Sequence, residues 1–82
     1  MKIQVKQEHI NKGTCYNAMG CALALAVIEA NPGKEVRVDF VYFYVGPKKY
    51  KLSPDAILFR RRFDSGFPVE PIEFDAEFIG EL

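Results

Sequence analysis

The stretch from Glu35 to Leu52, EVRVDFVYFYVGPKKYKL, decides how this chain folds. Val36, Val38, Phe40, Tyr42 and Tyr44 fall on one side of an extended backbone, and Arg37, Asp39, Val41, Phe43 and Val45 on the other. A period of two sustained over this length predicts one long strand from Glu35 to Val45. The second side is polar at its start and apolar at its end, so half of the strand is expected under cover on both faces, as in a central strand. Gly46-Pro47-Lys48 then turns the chain. Lys49-Tyr50-Lys51-Leu52 returns as a short antiparallel partner, with lysines outward that also protect an edge from unwanted pairing.

Downstream, Ser53-Pro54-Asp55 is a helix start: a hydroxyl to cap, a proline at the first helical position and a carboxylate where the helix dipole favours it. The helix is expected from Pro54 to Asp64, with Ala56, Phe59 and Phe63 as its apolar stripe, Ile57 in support, and Ser65-Gly66 as its end. Phe67-Pro68-Val69-Glu70-Pro71 is held extended by its prolines. Ile72, Phe74, Ala76 and Phe78 then alternate with Glu73, Asp75 and Glu77, which predicts a last strand or strand-like arm with an acidic outer face.

Upstream, Ile3 and Val5 alternate with Lys2, Gln4 and Lys6, a short first strand. Gln7 to Gly13 is polar and reads as a loop. A helix follows from about Tyr16 to Ala30, capped by Thr14 or Asn17 and stopped by Asn31-Pro32-Gly33. Ala22 to Ile28 is apolar all round, so this helix is central or shared. Ala18, Ala22 and Ala26 fall in one row and make a nearly flat side, suited to lying tightly on a sheet or to self-association. The order β-α-β-β-α-(β) gives an α+β class, a small antiparallel sheet of three to four strands with two helices. Residues 1–82 form one domain, with 67–82 as a proline-containing extended acidic arm.

At 82 residues, 49% of them hydrophobic, with seven Phe and four Tyr, the chain has enough apolar material to fold, though a domain of this size has a thin core. The apolar run Cys21–Ile28 is too short for a bilayer, which needs about 20 residues. No leader pattern opens the sequence, and two cysteines six positions apart do not make a disulfide framework, so a cytoplasmic location with reduced thiols is expected. The net charge of zero is a sum of unlike parts: +1 over residues 1–33, +5 over 34–62 and −6 over 63–82.

Catalytic chemistry finds little support. Cys15, Cys21 and His9 are too few and wrongly spaced for a zinc site, and no glycine pattern cradles a phosphate or dinucleotide, so neither a metal nor a cofactor is expected. Cys15 with His9 as base lacks an identifiable third group to orient the base. Glu73, Asp75 and Glu77 share one solvated face and one environment, which does not separate an acid from a base. The candidate binding set is Arg60, Arg61, Arg62 and Lys49 with Tyr42, Tyr44 and Tyr50, cations beside stacking rings, which suits a nucleotide or single-stranded nucleic acid. Three consecutive arginines on a helix fan over roughly 200°, so only one or two can face one ligand. Overall neutrality argues against duplex DNA.

Three segments, Val5 with Gln7–Gly13, Cys21–Ala26 and Phe63–Phe74, resemble a group of small proteins encoded by phages and bacterial mobile elements. In that group a proline often follows the cysteine and the sequence stops near the equivalent of Phe74; here Ala22 and a longer acidic arm stand instead. The resemblance implies an accessory product of an infected or lysogenic bacterial cell that acts by occupying either a host protein or a signalling nucleotide; the leading expectation is stoichiometric binding of a host protein, as an inhibitor of host defence. It lends no site residue. The apolar surplus further predicts a homo-oligomer, with contacts through Ala18, Ala22 and Ala26 or through Ile72, Phe74 and Phe78 of the arm.

Overall fold

The computed structural model describes residues 1–82. The chain runs β1 (Lys2–Val5), α1 (Gln7–Lys12), α2 (Ala22–Ala30), β2 (Val36–Val38), β3 (Tyr42–Val45), β4 (Lys48–Lys51), α3 (Pro54–Asp64), β5 (Ile72–Asp75) and β6 (Glu77–Glu81). Two antiparallel sheets result, β1-β5 and β2-β3-β4-β6, in an α+β arrangement. No helix is long and apolar enough to cross a membrane.

The strand expected from Glu35 to Val45 is a hairpin. Asp39 donates its backbone N–H to the carbonyl of Tyr42 at 2.7 Å, so Asp39-Phe40-Val41 is a tight turn, and the backbone doubles back with Val36 opposite Val45 and Val38 opposite Phe43. The turn resets the alternation: Val36 and Val38 stay inside, Phe43 and Val45 join them, and Phe40, expected on the valines' side, is left in solvent. Sequence alternation continues through the turn because the turn contains no Gly or Pro to interrupt it. The next turn follows its chemistry, with Gly46 at φ +56° before Pro47.

The acidic arm divides. β5 pairs with β1, setting Ile3 opposite Phe74 and Val5 opposite Ile72. Ala76 is buried and exchanges backbone hydrogen bonds with Met1. β6 then crosses to the other sheet, placing Glu77 opposite Lys51 and Glu81 opposite Lys48, with a register shift between Lys49 and Tyr50. Acidic arm and basic hairpin thus meet within one molecule, and opposite charges across a ladder favour that register.

Two corrections fall in the N-terminal half. The expected loop at Gln7–Gly13 contains α1, too short to display an apolar period and held instead by its cap: the Lys6 N–H donates to His9 Nδ1 at 2.9 Å. The helix expected from Tyr16 begins at Ala22. Tyr16 takes a left-handed φ of +57°, and the Asn17 carbonyl accepts from the N–H of Gly20 and Cys21, so a turn occupies the first third of the expected helix. Cys21 is the N-cap, its Sγ accepting from Ala24 N–H at 3.4 Å. Helix α2 packs on β1, β2 and α3. Its Ala22, Leu23, Ala24, Ala26 and Val27 are buried with Ile3, Val38, Phe43 and Leu52 in one core. Phe43 stacks on Tyr50 at 5.1 Å between ring centres.

Candidate functional site

Helix α3 forms where its sequence signals put it: Ser53 Oγ accepts from Ala56 N–H at 3.2 Å, Pro54 begins the first turn, and Ala56, Phe59 and Phe63 are buried. The same helical period separates the three arginines. Arg61 and Arg62 are exposed, Arg62 lying over the Phe67 ring at 5.9 Å, while Arg60 turns inward. Its guanidinium lies under the ring of Phe40 at 4.7 Å from the centroid, and its Nη2 stands 3.8 Å from Asp64 Oδ2, one helical turn on. That contact is too long for a hydrogen bond. The buried Nε has no partner at all.

Asp64 has a second task. Its Oδ1 accepts the backbone N–H of Tyr16 at 2.9 Å, which holds that residue in its left-handed conformation. Tyr16 and Phe40, residues that are 73% and 69% exposed, therefore flank the Arg60–Asp64 pair. The cleft between them has a volume of about 380 Å³, with Val41, Ile57 and Arg61 completing the wall. Ile57 and Arg61 also line a second cleft, and Leu58, 56% exposed, lines that one and a third, so the depressions follow one another along α3.

No protein-family model, curated protein or solved structure matches this sequence. The geometry of the cleft itself is therefore what defines the site.

The residues expected to bind a ligand divide between surfaces. Register places Arg37, Tyr44 and Lys49 side by side on the solvent face of the four-stranded sheet, with Tyr42 and Lys51 in the neighbouring row. Lys49 Nζ lies 4.1 Å from the Tyr42 ring centre and the Arg37 guanidinium 5.0 Å from that of Tyr44. Tyr50 has the opposite parity and is buried. Arg60, Arg61 and Arg62 stay on α3 and do not join the tyrosines. Arg37, Phe40 and Tyr16 were not in the expected set; only Asp64, four positions after Arg60, carried a sequence signal of its role.

The residues expected at a self-contact also divide. Ala22, Ala26 and Phe74 are buried within the molecule itself and offer no surface. Ala18 is half-buried and its carbonyl accepts the Val38 N–H at 2.7 Å. Ile72 is half-buried, and Phe78 is 52% exposed on the edge strand β6.

The side chains with nucleophilic or metal-ligand atoms are mostly tied into structure. Burial pushes the Cys21 thiol up from its ordinary value, against smaller lowering effects from the Ala24 N–H and Arg60. Cys15 is exposed, and its Sγ–H donates to the Phe63 carbonyl at 3.1 Å. His9, Glu8 and Glu29 bring ligand atoms within 4.8 Å of one another. His9 Nδ1 accepts from Lys6, so in the neutral ring Nε2 carries the proton, and it faces Glu29 at 3.1 Å. His9 and Lys6, both paired with Glu29, tie the start of α1 to α2.

Proposed function

We propose that this protein is a stoichiometric binding protein that occupies a protein partner through the surface centred on α3, in keeping with a phage-like accessory product that inhibits a host defence protein. The observation that carries this reading is the exposed pair Tyr16 and Phe40 around Arg60, continued along α3 by Leu58. Aromatic and arginine side chains are enriched in protein interfaces and dominate their binding energy. Native mass spectrometry of the protein isolated from its host cell tests it. A complex of fixed stoichiometry, lost on Phe40→Asp or Leu58→Asp and kept on Tyr42→Ala, is the expected result. A complex indifferent to both α3-side changes rejects the surface.

A second reading is supported by the sheet face. Tyr42 and Tyr44 beside Arg37, Lys49 and Lys51 make a platform for unstacked bases, which bind by ring stacking and cationic contacts. Fluorescence anisotropy with labelled single-stranded oligonucleotides decides it: salt-dependent binding weakened by Tyr42→Ala supports nucleic acid, and no binding at low salt removes it.

Self-association belongs to the same proposal. Its best support is β6, an edge strand with Phe78 and Ile79 exposed and followed by the exposed Leu82. Light scattering reads a dimer that Phe78→Glu disperses; a monomer of 9.3 kDa at micromolar concentration rejects it.

A further inference from the structure

The cleft around Arg60 carries two features that folding alone does not reward. The Arg60 side chain is only 8% exposed, yet its acid partner is beyond hydrogen-bond distance and its Nε–H meets no acceptor. A buried donor left this way costs free energy. The Nε itself is closed off, and the part of the Arg60 side chain that lines the cleft is what an entering acceptor can reach. Tyr16 is the only non-glycine residue at positive φ, a conformation in which Gly or Asn sits with less strain, and its ring lies in solvent. Strain accepted for an exposed aromatic ring, beside an unpartnered buried cation, marks a place prepared for a ligand.

The chemistry of that ligand follows from the charges and shapes present. Arg60 and Arg61 stand against Asp64, which leaves room for one negative charge. A phosphate dianion exceeds that count. A carboxylate matches it, and its two oxygens fit the planar guanidinium fork. Tyr16, Phe40, Val41 and Ile57 offer the neighbouring body of the ligand apolar and aromatic contact.

We propose that this cleft binds a peptide carboxylate carried beside an apolar or aromatic side chain, Arg60 taking the carboxylate and Tyr16 and Phe40 the apolar body. The inference rests on the reading of the α3 surface as a protein-binding site and names what the partner presents there. Two sources share this chemistry, the carboxyl terminus of a polypeptide and an acidic side chain.

Amide-detected NMR titration of the 82-residue protein, with the Arg60 Nε–H signal followed directly, tests it with N-acetylphenylalanine as probe for a terminus. An amidated acetyl-phenylalanyl-glutamate dipeptide is the probe for a side chain. At least one should move the signals of Tyr16, Phe40 and Arg60, and the one that binds more tightly identifies the source. N-acetylphenylalaninamide, which lacks a carboxylate, should bind at least about tenfold more weakly. Arg60→Lys, which keeps the charge and loses the fork, should weaken the carboxylate probe by about tenfold. Phe40→Ala, at an exposed position that does not threaten folding, should weaken it as well. Equal binding of acid and amide, shifts that map elsewhere, or no shift from either carboxylate probe overturns the proposal. If Phe40→Asp abolishes the native complex while Arg60→Lys leaves it intact, the protein-binding surface stands and the carboxylate contact falls.

Discussion

His9 and Arg60 are basic side chains enclosed to the same degree, each 6% exposed, and their surroundings differ in kind. Around His9 one ring nitrogen accepts the Lys6 N–H and the other faces the Glu29 carboxylate at 3.1 Å, and Gly13 closes the helix with its N–H on the His9 carbonyl at 2.8 Å. Around Arg60 an aromatic ring lies in solvent, an acid stands too far for a hydrogen bond and Nε is unpartnered. Burial alone thus does not distinguish a structural polar group from one kept for a ligand; satisfaction of its hydrogen bonds does. The sealed end and the open end should respond oppositely to substitution.

The largest effect is expected at the sealed end from Gly13→Ala. Gly13 has an ordinary negative φ, so its need is for space: an added Cβ would stand 2.6 Å from Ala22 N, 2.9 Å from the His9 carbonyl oxygen and 2.9 Å from Phe63 Cζ. Two of those atoms are backbone and cannot swing away. A loss of about 3 kcal/mol is expected in urea unfolding followed by circular dichroism. Next is His9→Phe, which fills the volume and strands the Lys6 N–H and the Glu29 contact, for a loss of about 2 kcal/mol. A neutral result at both positions would mean that the His9 end is not sealed, and the contrast with Arg60 would vanish.

Cys21 sharpens the contrast through its thiol. Desolvation raises its pKa, so between the ordinary thiol value and the folded value the native state holds a proton that the unfolded state has lost. Stability therefore falls as pH rises through that window and is unaffected below it. Native labelling at neutral pH should modify exposed Cys15 and spare Cys21 until denaturant is added. Rapid native modification of Cys21 would show that the start of α2 opens easily.

How much of this was legible in the sequence depends on how local the cause is. Helix α3 was readable because Ser53, Pro54 and the Ala56-Phe59-Phe63 stripe act within a few residues of one another. The β2–β3 hairpin was hidden because Asp39-Phe40-Val41 continues the alternation through the turn and only the Asp39–Tyr42 hydrogen bond betrays it. α1 was hidden because its cap replaces the apolar period that identifies longer helices. The Arg60 cleft was illegible for a different reason: Tyr16, Phe40 and Arg60 come from three separate segments, and the absence of a partner for Nε is a property of the assembled fold.

At the open end the pair itself should be expendable for folding. Replacing Arg60→Met and Asp64→Asn together removes two buried charges, fills the volume with an apolar side chain and keeps an amide oxygen able to accept from the Tyr16 N–H. Such a replacement is expected to leave stability unchanged or raise it by about 1 kcal/mol, because buried charges that are imperfectly paired seldom repay their desolvation. A loss comparable to that of His9→Phe would make Arg60 a structural residue after all.

The smallest expected effect is the most diagnostic. At φ +57° Tyr16 bears a strain that asparagine tolerates better, and its exposed ring contributes little burial. Tyr16→Asn keeps the backbone N–H that Asp64 accepts, so the turn before α2 should form as before. Stability should rise by about 0.5 kcal/mol, while binding of the carboxylate probe should fall, the trade expected where a residue serves a ligand at the cost of the fold. If stability drops, the ring is a structural prop, and the strain at Tyr16 no longer points to a ligand. If stability rises and probe binding is unchanged, the cleft recognises its ligand without Tyr16, and Phe40 becomes the aromatic wall on which the proposal stands.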